Sequence, residues 1–233
     1  MILGLLSDAH GNLGAFHKAK RLLLESGATR LIFLGDAVGY FAGTGVVDAL
    51  MAQGGPDLAI MGNHDHMLLT GDVSLSREKI YQLERVRKIL NPAQKKYLKS
   101  LPLRHEETID GQKLIFVHGS PFDELNGYIY PDTPIAAISD RDPITVFMGQ
   151  THRPFVRESG QTTYINVGSC GLPRDHGGLG AVALYDTRKR EATILRFPIS
   201  DTSEAAMQSG DVADEVRRVL QRREPIYGKI HDI

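Results

Sequence analysis

Short apolar runs that end in Gly, Asp, His or Asn constrain the fold of this chain more than any other feature of its sequence. Residues 2–6, 31–34 and 58–61 are such runs, and their length is that of buried strands. Helical spacing of apolar residues follows the first run over 12–26, and residues 46–51 have the pattern of a short helix. This alternation of strand and helix predicts an α/β fold with short parallel strands.

The middle of the chain has a helical pattern. Apolar residues recur at helical spacing over 75–90, which predicts one helical segment there. Asn91 then fits an N-cap and Pro92 the first helical position, so a second helix is predicted to run to about residue 100. We interpret this stretch as an ordinary pair of surface helices rather than as a lid or a dimer contact.

The second half of the chain is predicted to be rich in strands. Asp110-Gly111 separates two strand patterns, over 104–109 and 113–117, as the turn of a hairpin does. Further strands are predicted over 145–148, 163–167, 180–185 and 192–197, and a last helix over 212–223 with Asp211 as its cap. We expect two sheets packed face to face with helices outside.

Length and composition limit the class of protein. The 233 residues allow one sizeable domain, so residues 1–233 are interpreted as a single domain in which 224–233 form a loose tail. The net charge of −1 lacks the basic footprint of a nucleic-acid binder. No stretch is long enough to span a bilayer, and the lone Cys170 cannot form an internal disulfide. We expect a cytoplasmic protein that has neither a membrane partner nor a specific nucleic-acid-binding region; its oligomeric state stays open.

Five polar clusters stand at the ends of the apolar runs. In chain order they are Asp8-Ala9-His10, Gly35-Asp36, Gly62-Asn63-His64-Asp65, His118-Gly119 and Gly149-Gln150-Thr151-His152. Strand ends of an open α/β sheet converge on one edge, so these clusters can meet in space. Their oxygen and nitrogen ligands suit Mn, Fe or Zn, and the absence of thiolates argues against a structural zinc site. Each cluster is a weak signal alone, but together they predict a metal site in which the Asp36 carboxylate could bridge two ions.

The series resembles the signature of the calcineurin-like metallophosphoesterase superfamily, which reads DxH, GD, GNH[DE], a histidine before glycine, and GHxH. The match runs from Asp8 to His152, and the phrases GDAVGY, HGSP and INVGSCGLPRD are similar to the small bacterial phosphodiesterase (YfcE-like) branch. This resemblance implies a four-layer αββα sandwich, with two mixed β-sheets flanked by helices. It also implies a metal-dependent hydrolase that uses two divalent ions, manganese ahead of iron, zinc, nickel or cobalt.

The resemblance assigns a role to each cluster. The ligands of the first ion would be Asp8, His10, Asp36 and His152, and those of the second Asp36, Asn63 and His118. His64 would stand near the phosphate and protonate the leaving oxygen, and Asp65 would orient its imidazole. The implied reaction is hydrolysis of a small phosphodiester, in which a metal-bridging hydroxide attacks phosphorus in line.

The last cluster departs from the family pattern. Gln150 stands where GHxH has the imidazole that binds the second ion. Its amide oxygen is a weaker and harder donor, so we expect a second site that binds its ion weakly, prefers a different ion, or fills only with substrate. The open alternatives are a phosphomonoesterase or dinucleoside polyphosphate hydrolase of the same fold, and a non-catalytic metal-binding scaffold. Gln150 favours the scaffold, and the retained His64 and Asp65 oppose it.

Two further residues are candidates for contact with the substrate. Arg174 could bind a phosphate oxygen through its planar guanidinium, or form a salt bridge with Asp175 or another carboxylate. Tyr40 could stack on a substrate or simply pack, and Gly39 before it is expected to serve a tight loop.

Overall fold

The strands of the computed structural model form two mixed sheets. The structure describes residues 1–139, 141–208 and 210–231. The strands are β1 (Ile2–Leu6), β2 (Arg30–Phe33), β3 (Leu58–Ala59), β4 (Arg104–Ile109), β5 (Gln112–Val117), β6 (Ile144–Met148), β7 (Phe155–Ser159), β8 (Thr162–Asn166), β9 (Leu179–Asp186), β10 (Glu191–Pro198) and β11 (Lys229–Ile230). The helices are α1 (Leu13–Glu25), α2 (Gly45–Met51), α3 (Asn63–Thr70), α4 (Leu75–Tyr81), α5 (Leu83–Ile89), α6 (Pro92–Ser100), α7 (Ser200–Gln208) and α8 (Asp214–Leu220).

Each sheet contains a group of parallel strands with antiparallel strands beside it. The first sheet has the order β11-β10-β9-β1-β2-β3, in which β1, β2 and β3 are parallel and β9 runs against β1 and β10. The second has the order β4-β5-β6-β8-β7, in which β5, β6 and β8 are parallel. The parallel strands therefore carry their carboxyl ends, and the loops that follow them, to a shared edge.

Alternation of side chains along the strands explains how the layers pack. Leu5 and Ile32 face the second sheet and share a buried cluster with Phe116 and Phe147. On the opposite face of the first sheet, Phe33 lies in another cluster with apolar side chains of the helices. Because one set of residues is buried between the sheets and the next under helices, the expectation of two mixed sheets flanked by helices is confirmed.

The outer face of the second sheet has a different cover. Ile115, Val146 and Tyr164 of this sheet pack there with Ile129, and the partly buried Ile135 lies against the same cluster. Both isoleucines come from the connection between β5 and β6, which has no helix among its described residues. An irregular segment therefore contributes to the cover of the second sheet.

The predicted helix over 75–90 is wrong in one respect. It is two helices, α4 and α5, which meet at Gln82 with φ of +56°. The Gln82 side-chain amide donates to the Tyr40 carbonyl at 3.0 Å, and the Tyr40 backbone N–H donates to the Tyr81 carbonyl at 2.8 Å. Tertiary hydrogen bonds to the Tyr40 loop therefore stabilise a break that helical periodicity does not reveal.

The C-terminal predictions also need correction. The last helix begins at Asp214 with Ala213 as its N-cap, so Asp211 does not cap it; Val212 is instead buried in an apolar cluster. The segment from residue 224, expected to be loose, supplies β11, which pairs in parallel with β10. Residues 232 and 233 of that expected tail lie outside the described part of the chain.

Besides β11, periodicity missed α3, β7 and α7. Helix α3 contains the GNHD cluster, whose polar residues hide the helical pattern. Within the described residues, none of the helices combines the length and the apolar character that crossing a membrane requires.

Candidate metal centre

The five polar clusters converge at the carboxyl ends of strands from both sheets. The side chains form three sets, and within each set the potential metal-binding atoms all lie within 4.8 Å of one another. The sets are Asp8, His10 and His152; His10, Asp36 and His64; and Asp8, Asp36 and His118. All of these side chains are buried. The predicted convergence is therefore observed, and His64, which the family pattern does not make a ligand, lies beside the same group.

Three histidines present their Nε2 atoms to this centre. In each, Nδ1 lies at hydrogen-bond distance from a backbone carbonyl: Val38 for His10 (3.0 Å), Leu34 for His118 (2.7 Å) and Leu172 for His152 (2.5 Å). In a neutral ring, donation from Nδ1–H leaves the lone pair on Nε2, as in metal-binding histidines. The Nε2 atoms of His10 and His152 are only 3.0 Å apart, an arrangement in which two lone pairs repel each other without a cation between them.

Asp36 and Asp8 are the two buried carboxylates that bring negative charge to the centre. Asp36 Oδ2 lies 3.6 Å from His10 Nε2 and 3.4 Å from His118 Nε2, so one oxygen faces both halves of the centre. Burial opposes ionisation of Asp36, but attraction by His118 and His64 outweighs it and holds the Asp36 pKa well below its usual value. Asp8, 3.1 Å from His152 Nε2, also has a lowered pKa, because its histidine neighbours outweigh burial. Both carboxylates are anionic at neutral pH.

Gln150 turns its amide oxygen into the centre. Gln150 Oε1 lies 2.8 Å from His118 Nε2, while Gln150 Nε2 donates to the Leu125 carbonyl at 3.3 Å. Since the amide nitrogen is engaged on the far side, the oxygen is the atom available to an ion. The residue that departs from the family pattern thus places an amide oxygen beside a histidine of the centre.

Two buried side-chain oxygens of the predicted ligands have no hydrogen-bond partner among the described residues. They are Asn63 Oδ1 and Asp8 Oδ1. A buried oxygen left unpaired costs about 1–3 kcal/mol. Cations bound to these oxygens would remove that cost, so the donor set fits divalent ions that accept oxygen and imidazole ligands.

The Asp65 carboxylate binds backbone N–H groups and not the His64 imidazole. Its carboxylate accepts hydrogen bonds from the backbone N–H groups of Asp36 (2.9 Å), Ala37 (3.0 Å), Val38 (3.3 Å) and Gly62 (3.1 Å). The predicted orientation of the His64 imidazole by Asp65 is therefore wrong, because the carboxylate is used to hold the loop that follows β2. Burial and the nearby Asp36 charge raise the Asp65 pKa to about 7.

His64 lies next to the candidate metal ligand His10 and to the rings of Tyr40 and Tyr81. Its ring centroid lies 4.9 Å from that of His10, 4.9 Å from Tyr40 and 4.3 Å from Tyr81. Burial lowers the His64 pKa to about 3, so the imidazole is neutral at pH 7. A Cβ at Gly39, where φ is +98°, would collide with His64 Nδ1, which explains the glycine at this turn.

Arg174 and Tyr40 are partners of each other. Arg174 Nη2 donates to the Tyr40 hydroxyl at 2.8 Å. Asp175 instead accepts two hydrogen bonds from the buried Arg196, at 2.6 and 2.9 Å. The alternative of an Arg174–Asp175 salt bridge is therefore wrong. Tyr40 is 6% exposed and its ring packs edge-on to His10, so packing is part of its role.

Sequence reasoning gave no indication of the backbone strain in this centre. Six of its non-glycine residues have left-handed backbones: Asp8 (φ 55°), His10 (φ 49°), Asp36 (φ 61°), Tyr40 (φ 62°), Gln150 (φ 67°) and His152 (φ 57°). Such conformations are uncommon outside glycine and persist where the surrounding structure overdetermines them, typically at functional sites.

Comparisons with known proteins show which family and which folds this chain is similar to. Residues 1–190 match the family described as the calcineurin-like phosphoesterase superfamily domain. The protein MJ0912 of Methanocaldococcus jannaschii is 29% identical over 214 residues, which cover 84% of this chain and 86% of the relative. A metallophosphoesterase structure from Sphaerobacter thermophilus has a TM-score of 0.72 at 23% identity, covering 94% of this chain and 98% of its own. The protein PH1004 from Pyrococcus horikoshii OT3 has a TM-score of 0.80 at 19% identity, covering 95% and 98%. The two structural likenesses show a shared fold.

Proposed function

The chain belongs to the calcineurin-like phosphoesterase superfamily, a superfamily of metal-dependent phosphoester hydrolases, and from this premise we propose that it hydrolyses a phosphodiester at a dinuclear metal centre. The observation that carries the proposal is the convergence of three Nε2 atoms on two anionic carboxylates in a buried cluster. The preference for a diester rests on the phrases of the sequence that resemble the small bacterial phosphodiesterase branch.

The donor set divides into two ion sites that share one carboxylate. We assign Asp8, His10, Asp36 and His152 to the first ion, and Asp36, Asn63, His118 and Gln150 to the second. Manganese is our first choice for both. When bound, the ions would supply an activated water for in-line attack and neutralise the charge that develops on the phosphoryl oxygens.

The protein's own groups hold this arrangement in place. The His64 backbone N–H donates to Asp36 Oδ1 at 2.8 Å, so the start of α3 is tied to the shared carboxylate. Asp65 fixes the same loop through its backbone hydrogen bonds. His64 would therefore keep a constant position relative to the ions, which positioned catalysis requires.

We assign the transfer of a proton to the leaving oxygen to the His64 imidazole. Because burial keeps the His64 pKa at about 3, the ring is neutral before substrate binds. As substrate binds, the ring would take up a proton from solvent and pass it to the leaving oxygen, and the negative charge of the bound phosphoryl group would favour this protonated ring, since an anion nearby stabilises imidazolium. The Tyr40 and Tyr81 rings beside it exclude water from one side and strengthen that interaction.

The first test is hydrolysis of bis-p-nitrophenyl phosphate by metal-stripped protein titrated with manganese. We expect turnover that depends on metal and that falls by roughly 10²–10⁴-fold in His64→Ala. His17→Ala is the matched control, because His17 is an exposed histidine on α1. Metal analysis of the same samples should give two ions per chain.

Other results would redirect the assignment. A lack of turnover with manganese, nickel, cobalt or iron would exclude a general phosphodiesterase. Hydrolysis of p-nitrophenyl phosphate or of a dinucleoside polyphosphate alone would then indicate a monoesterase or an anhydride hydrolase. Metal binding without hydrolysis of any of these compounds would indicate a non-catalytic scaffold.

A further inference from the structure

A cavity lies beside the metal centre, and the arginines that line it have no role in the chemistry described above. It encloses about 430 Å³. Three arginines, Arg153, Arg174 and Arg222, line it together with Tyr40, Tyr81 and Tyr130, and we call it the arginine pocket. Its size is within the range of small-molecule binding sites.

The charge of this pocket is largely uncompensated. Among the described residues, no carboxylate lies within 4.0 Å of the guanidinium of Arg174 or Arg222; Arg174 donates to the Tyr40 hydroxyl and Arg222 to the Arg174 carbonyl. Arg153 pairs with Glu224 at 2.5 Å. The acidic residue of the lining, Glu215, pairs with Arg218 at 3.3 Å. Two cations are thus left to attract an anion, and guanidinium groups suit the geometry of phosphate.

The remaining walls are aromatic and apolar. Val216 and Val219 of α8 line one side. Tyr130 lines another, and its ring stacks on that of Tyr128 with centroids 6.0 Å apart and an interplanar angle of 15°. Flat rings of this kind accept an aromatic group of a ligand. The pocket therefore combines donors for an anion with surfaces for a ring.

Two tyrosines connect the pocket to the metal centre. Tyr40 and Tyr81 line the pocket, and their ring centroids lie 4.9 and 4.3 Å from that of His64. The His152 carbonyl accepts from the Arg174 backbone N–H at 3.2 Å, so the arginine is also fixed relative to a metal-binding histidine. The pocket and the metal centre therefore share a wall, which these two tyrosine rings form in part.

We propose that the arginine pocket binds a second anionic group of the substrate, which makes the substrate a nucleotide-like diester with a phosphate beyond the one that is cleaved. This inference rests on the proposed function and narrows it. The cleaved phosphate would lie at the metal centre, and the second phosphate would be bound by Arg174 and Arg222. The aromatic part of the substrate would lie against the tyrosine rings.

The test compares two esters that share the scissile bond and the leaving group. One is p-nitrophenyl thymidine 5′-phosphate, and the other carries an additional 3′-phosphate. In the manganese-loaded protein we expect kcat/KM to be at least about tenfold higher for the 3′-phosphorylated ester, mainly through KM, because an ionic hydrogen bond is being added. Thymidine 3′,5′-bisphosphate should likewise inhibit about tenfold more tightly than thymidine 5′-phosphate.

Variants identify the pocket as the source of this preference. Arg222→Gln should reduce the ratio of kcat/KM between the two esters to less than about threefold. Arg21→Gln, which changes an exposed arginine of α1, should keep the full ratio. Because each ratio is measured within one protein, incomplete folding or metal loading does not affect it.

The results separate the two proposals. Hydrolysis of both esters at equal efficiency, or a preference that Arg222→Gln leaves intact, would overturn the inference about the pocket while the phosphodiesterase assignment stands. Equal inhibition by the two thymidine phosphates would overturn the pocket inference too. No hydrolysis of either ester with any metal would overturn the proposed function itself.

Discussion

The metal centre and the arginine pocket are neighbours that are built in opposite ways. The predicted ligands of the metal centre are held by buried hydrogen bonds, such as those that the Asp65 carboxylate accepts from the loop after β2. The pocket is lined in part by the surface helices α4 and α8 and by Arg222 beyond α8, and α4 has no buried residue. Under the proposed assignments, the reaction would take place in the buried core, whereas the second anionic group of the substrate would be bound partly by surface elements with few internal contacts.

The largest expected effect is at the centre. Asp36→Asn should lower manganese-dependent turnover by at least about 10³-fold, because it removes a carboxylate charge that lies 3.6 Å from His10 Nε2 and 3.4 Å from His118 Nε2. The measurement is kcat at saturating manganese together with metal content, with the exposed Asp72→Asn as control. Turnover within tenfold of the unmodified protein would show that Asp36 does not join two ions.

A smaller gain is expected from restoring the family's imidazole. Gln150→His should tighten binding of the weaker ion by about tenfold, or ~1.4 kcal/mol, because a nitrogen donor suits manganese, iron and zinc better than an amide oxygen. Titration of metal-stripped protein, followed by calorimetry, measures both ion affinities. Unchanged affinities would mean that the amide oxygen of Gln150 is already an adequate ligand.

On the pocket side, Tyr40→Phe should affect binding more than chemistry. It removes the hydroxyl that accepts the Arg174 hydrogen bond but keeps the ring that packs on His10 and His64. We expect KM for the 3′-phosphorylated ester to rise by roughly threefold to tenfold, with metal affinity unchanged. A comparable fall in metal affinity would show that the two regions are coupled more tightly than their construction suggests.

The smallest effect is expected where the C-terminal segment meets the pocket. A hydrogen bond from Arg153 lowers the Glu224 pKa, and this pair is largely exposed. Its contribution to stability is present above the unfolded pKa of about 4.3 and is lost as pH falls through the lower folded value. Glu224→Gln should therefore change the free energy of unfolding at pH 7 by less than about 1 kcal/mol.

Denaturant unfolding at pH 7 and pH 3 measures this contribution. The difference between Glu224→Gln and the unmodified protein should shrink at the lower pH, and the exposed Glu191→Gln should show no such trend. A large destabilisation at pH 7 would mean that the C-terminal segment is as tightly built as the metal centre.

Much of the metal centre follows from sequence. Asp8, Asp36 and His118 each follow an apolar run, and parallel strands bring such positions to one edge whatever the details of packing. The hairpin at Asp110-Gly111 and the helix that opens at Asn91 were also predictable, because local turn and capping chemistry decides them.

Contacts between distant residues decided the rest. The helical pattern breaks at Gln82 because its side chain donates a hydrogen bond to the Tyr40 carbonyl. The Asp65 carboxylate does not bind the His64 ring because it accepts hydrogen bonds from four backbone N–H groups. Side-chain type and spacing along the chain determine which atoms can bind a metal. Which of these atoms lie close together, and which arginines line a pocket, depends on packing between segments far apart in sequence, and the energy of that packing leaves no pattern in the local sequence.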